Sequence, residues 1–78
     1  MNSKLAKYLL VKLSHAMKKQ KNIMKAEEVY DMLKELDVAE NLLNKLKKKN
    51  EVDSELYIKI HNKISLLRNM LKEKEKFV

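Results

Sequence analysis

A chain of 78 residues with no cysteine, no glycine and no proline is read as a single helical domain, 1–78, without disulfides or a thiolate metal site. The absence of glycine excludes phosphate-cradling loops and the dinucleotide fingerprint, and the absence of both residues removes the main helix breakers. The net charge of +7 and sequence pI of about 9.6 suit an anionic partner such as nucleic acid, an acidic protein or a membrane surface. Seventeen of the eighteen basic residues are lysine and only Arg68 is arginine, so the bidentate guanine reader is nearly absent.

The expected fold is all-α, a small three- or four-helix bundle. Its first helix spans about 3–21 with Ser3 as N-cap. Leu5, Ala6, Leu9, Leu10, Leu13, Ala16 and Met17 fall on one face at helical spacing. Met1 to Lys25 holds seven lysines and no acid, with Lys4, Lys7 and Lys18 on the polar side. Those lysines form either a solvated face or a phosphate-binding one. The run Tyr8–Val11 is bracketed by Lys7 and Lys12, too short for a signal-peptide core or a bilayer span. The expectation is therefore a cytoplasmic protein with no membrane span.

Asn22 is read as the next turn. A second helix follows at about 25–36, with Val29, Met32, Leu33 and Leu36 inward and Glu27, Glu28, Asp31 and Glu35 outward. Acids in a first turn favour the helix dipole. Past Asp37 the apolar residues Ala39, Leu42, Leu43 and Leu46 point about a quarter-turn away. Asp37 and Glu40 also have the spacing of a capping-box variant. These two features predict a break at Leu36–Val38 and a third helix at about 38–49, against the alternative of one continuous helix over 25–49.

With that break, residues 26–49 fit a helix-turn-helix. Met32, Leu36, Val38, Leu43 and Leu46 fill its apolar positions. Leu33 stands where a small residue is usual and Asp37 where glycine is usual. Glu40, Asn41, Asn44, Lys45 and Lys48 would then face a major groove, Glu40 tolerable there only as an acceptor from cytosine, and Lys47, Lys48 and Lys49 would meet phosphates.

Asn50 to Asp53 form the last turn. The final helix, about 54–76, carries the seam Tyr57, Ile60, Ile64, Leu67 and Leu71 at alternating spacings of three and four. Leu66, Met70 and Phe77 lie off that seam and are the candidate dimer or partner interface.

Nothing in the chain points to catalysis. His15 and His61 fall on different helices without a nucleophile or carboxylate at a useful spacing. No metal, cofactor or small-molecule substrate is expected. The reading is a non-enzymatic DNA-binding regulator, homodimeric, using Asn41, Asn44, Lys45, Lys47, Lys48 and Lys49 with Lys4, Lys7 and Lys18. The alternative is a helical protein–protein module acting as adaptor, inhibitor or antagonist.

Overall fold

The computed structural model describes residues 2–20 and 24–75, the side chains of residues 74 and 75 excepted. Among the described residues it contains three helices, α1 (Lys4–Lys18), α2 (Ala26–Lys48) and α3 (Ser54–Glu75), and no strand. The all-α bundle is thus as expected, in its three-helix form. The Asn22 turn, the last expected residues of the first and final helices (Lys21 and Lys76) and Phe77 lie outside the described residues.

Each helix end has a local cause. Ser3 caps α1, its Oγ accepting from the Ala6 N–H at 3.2 Å. At the start of α2 the N-cap is Lys25, which offers no acceptor. Instead the Glu28 carboxylate accepts from the Lys25 backbone N–H at 3.4 Å. Met24 and Val29, on either side of this cap, are both buried, the arrangement of a hydrophobic staple. α2 ends in a Schellman turn. The Glu51 N–H donates to the Leu46 carbonyl at 2.9 Å and the Asn50 N–H to that of Lys47 at 3.1 Å. Asn50 takes φ 57°, the left-handed region that asparagine tolerates better than most residues. Asp53 caps α3 through the Leu56 N–H at 2.8 Å.

The first turn of α1 is tied to this α2–α3 connection. The Ser3 N–H donates to the Glu51 carbonyl at 2.8 Å. Asn2 and Asp53 bond reciprocally, Asn2 Nδ2 to Asp53 Oδ2 at 2.9 Å and the Asp53 N–H to Asn2 Oδ1 at 2.8 Å. The bond from Leu56 outweighs the opposing desolvation and, with a lesser contribution from Asn2, holds the Asp53 carboxyl below its ordinary pKa. Consecutive helices therefore run antiparallel. The beginnings of α1 and α3 and the end of α2 share one end of a bundle measuring 41 × 19 × 15 Å.

The expected break at Leu36–Val38 is corrected: α2 runs unbroken through Asp37. Val29, Leu36 and Leu43 are 0%, 5% and 1% exposed and stand seven residues apart, so the inward seam passes straight through the supposed turn. Ala39 and Leu42 belong to a second, flanking stripe of the same helix. Asp37 and Glu40, read as a capping box, are acceptors for Arg68 of α3. Arg68 Nη2 donates to Asp37 Oδ1 at 2.7 Å and to Glu40 Oε1 at 3.1 Å, and Nη1 to Glu40 Oε2 at 3.0 Å. The bidentate hydrogen bond from Arg68 lowers the Glu40 pKa, and the same bond raises that of Arg68.

α3 is the spine. Ile60, Ile64, Leu67 and Leu71 of its seam are almost fully buried and Tyr57 half-buried. They meet Ala6, Leu9 and Leu13 of α1 and the Val29, Leu36 and Leu43 seam of α2 in one core. Burying each such aliphatic side chain contributes roughly 1.5–3 kcal/mol.

Candidate functional site

α1 and α2 both pack along α3, but their contact with each other is the sparsest of the three. Between them lies an apolar groove. Tyr8, Leu9, Leu13 and Ala16 form one wall, Met32, Leu36, Val38, Ala39 and Leu42 the other, and Leu67 of α3 closes the floor. Its volume is about 120 Å³, close to the roughly 150 Å³ apolar cavity known to accept a benzene ring in another protein. It has room for an apolar side chain.

The rim is apolar and open to solvent. Tyr8 is 57% and Val38 66% exposed. Leu5, one turn before Tyr8 on α1, is also exposed. Toward the α1–α2 connection the groove widens into a stretch of about 320 Å³ lined by Lys12, His15 and Lys19 from α1 and Glu28 and Glu35 from α2. One wall is therefore basic and the opposite wall acidic. Helical repeat explains the arrangement. Leu5, Tyr8, Leu9, Lys12 and Ala16 follow i, i+3, i+4, i+7, i+11 on α1. Met32, Glu35, Val38, Ala39 and Leu42 share the flank of α2 by the same spacing of three and four.

The nine residues expected to meet nucleic acid divide into groups. Asn41, Asn44 and Lys48 form one exposed stripe on the last turns of α2, as anticipated, but no turn precedes them to make a separate recognition helix. Lys45 and Lys49 are also exposed. Lys47 points toward α3, its Nζ 4.1 Å from the centroid of the Tyr57 ring. Tyr57 in turn stacks on His61 at 6.0 Å, one helical turn further along α3. Lys4 and Lys7 lie at the same end of the bundle as Lys45 to Lys49, because the first turn of α1 is bonded to the α2–α3 connection. Lys18 does not join them: it sits at the far end of α1, about 21 Å along the helix axis from Lys4.

Of the expected interface residues, Leu66 is exposed and Met70 half-buried. No described group of histidine, aspartate or glutamate has the arrangement to hold a metal ion. No described helix is long and apolar enough to cross a membrane.

The groove was missed from sequence. Its signal was present in Ala39 and Leu42, lying a quarter-turn off the Val29–Leu36–Leu43 seam. A displaced stripe marks a helix with two neighbours as readily as it marks a break. Comparison with protein-family models, curated proteins and solved structures finds no match to this chain.

Proposed function

We propose that this chain is a non-enzymatic helical interaction module that takes an apolar helical surface of a protein partner in the α1/α2 groove. The observation that carries the reading is the open groove itself. Exposed Tyr8 and Val38 flank an apolar trough. Single exposed apolar residues are ordinary, but an apolar groove between two helices is the receptor that helix-in-groove recognition uses. Action as an adaptor, inhibitor or antagonist follows from such docking. A cytoplasmic setting belongs to the same reading and agrees with a cysteine-free chain.

The test places a photo-crosslinking residue at position 38, on the groove rim, and separately at position 62, exposed on α3. A discrete protein adduct is expected from position 38 and not from position 62, and it should disappear when Tyr8→Asp is added. If position 38 gives no adduct, or both positions give the same smear, the reading fails.

A second reading keeps nucleic acid as partner, without a helix-turn-helix. The observation favouring it is the gathering of Lys4, Lys7, Lys45, Lys48 and Lys49 at one end of the bundle. Glu51, Asp53 and Glu55 share that end and offset part of the charge. Such a surface would contact phosphates and carry little sequence information. Duplex binding that weakens steeply with salt, and is lost in a Lys45, Lys48, Lys49 triple alanine variant, supports it. Absence of binding at low salt removes it.

A further inference from the structure

We infer that the occupant of the α1/α2 groove is a second copy of this chain, joined about a twofold axis parallel to the helices. The inference rests on the docking reading above and adds the partner's identity. Its basis is charge complementarity between the two walls.

The α1 wall carries Lys12, His15 and Lys19, and no acid occurs anywhere in α1. The facing α2 wall carries Glu35 and, toward the start of the helix, Glu28, whose carboxylate is already engaged by the Lys25 backbone N–H. Lys12 and Glu35 stand at the same height, since both line the apolar and the wider stretch of the groove. Neither takes part in an ion pair among the described residues, where the pairs shown belong to Arg68. When two copies face each other groove to groove, two symmetric arrangements are available. A twofold axis perpendicular to the helices sets α1 against α1 and stacks lysine on lysine. A twofold axis parallel to the helices sets α1 of one copy over α2 of its partner and leaves heights unchanged. Lys12 then meets the Glu35 side of the other copy, and the Tyr8 region meets the Val38 region.

The second arrangement matches charge with charge and apolar surface with apolar surface at once. It also closes a core of four helices, α1 and α2 from each copy, every neighbour antiparallel, which is an established packing solution. A C2 contact must be self-complementary, and a groove with one basic and one acidic wall meets that demand. The parallel axis further sets both lysine-rich ends at the same end of the dimer.

The test uses the full chain. Sedimentation equilibrium is run on the wild type, on Lys12→Glu, on Glu35→Lys and on an equimolar mixture of the two variants, with circular dichroism to confirm that each is folded. The wild type is expected to dimerise. Each charge reversal alone should weaken the dimer by about tenfold, because two like-charged contacts replace two attractive ones. The mixture should regain the dimer as a heterodimer, visible by native mass spectrometry. There the carboxylate introduced at position 12 of one variant faces the ammonium introduced at position 35 of the other.

A wild-type monomer at millimolar concentration overturns the inference. So does a dimer indifferent to both reversals, which would place the contact elsewhere, for example on Leu66 and Met70 of α3. The adduct from position 38 separates this failure from that of the docking reading. An adduct of twice the chain mass supports the second copy. An adduct with a different protein overturns the second copy and leaves docking intact. No adduct removes both.

Discussion

The two long contacts of α2 differ in kind. On one side it meets α3 through Val29, Leu36 and Leu43, all buried, with Arg68 clamping Asp37 and Glu40 at the edge. On the other side it meets α1 across a trough, with Val38 and Tyr8 left in solvent. The same helix thus carries a finished face and an unfinished one. Stability is concentrated along α3 and in the buried groove floor of Leu9, Leu13, Leu36 and Leu67, so only the exposed rim residues Tyr8 and Val38 can vary without unfolding the domain.

The largest expected effect breaks the finished face. Leu43→Ala removes a side chain that is 1% exposed and should cost about 3 kcal/mol. A domain of this size has a margin of only about 5 kcal/mol. Thermal unfolding followed by circular dichroism should show a large drop in melting temperature. A drop as small as that of a surface variant would mean that the α2–α3 seam is not where stability resides.

Next comes the turn joining those two helices. Asn50 sits at φ 57°. Asn50→Val forces a β-branched residue into left-handed backbone and should cost about 1–2 kcal/mol. Asn50→Gly should be neutral or stabilising. Equal stability of the two variants in denaturant titrations would contradict the turn.

Arg68→Ala should cost about 1 kcal/mol, after allowance for the solvent that still reaches Asp37 and Glu40. The loss has a pH signature. The Arg68 hydrogen bond lowers the folded-state pKa of Glu40. The stabilisation is then fully present above the unfolded carboxylate pKa and disappears as pH falls through the lower folded value. The gap in stability between wild type and Arg68→Ala should be constant near neutrality and close in acid. A gap unchanged by acidification would mean that the clamp is not ionic.

The smallest effect on stability tests the unfinished face. Val38→Asp should change unfolding free energy by no more than about 0.5 kcal/mol, as for ordinary surface sites, while abolishing self-association. A marked loss of stability would show that Val38 contributes to the fold and that the groove is closed in solution.

Much of this fold was readable from residue order. The seam Ile60–Ile64–Leu67–Leu71, the Ser3 cap and the turn at Asn50 to Asp53 follow from periodicity and local hydrogen bonding, which need no knowledge of distant partners. The reading failed at Asp37, where an acid followed three residues later by glutamate describes both a cap and a pair of acceptors on a helix surface. Only the position of Arg68, thirty-one residues away, decides between them. The groove was illegible for a related reason: Tyr8 and Val38 are unremarkable on their own helices. They become a site only when α3 holds α1 and α2 side by side without letting them close.

Association through the α1/α2 groove has a signature that can be read residue by residue. The most direct measurement is a dilution series followed by amide-resolved NMR. Concentration-dependent shifts should cluster at Leu5, Tyr8, Lys12, Glu35, Val38 and Leu42 and leave Ile58 and Asn62 on α3 unmoved. Shifts centred on Leu66 and Met70, or none at millimolar protein, would contradict it.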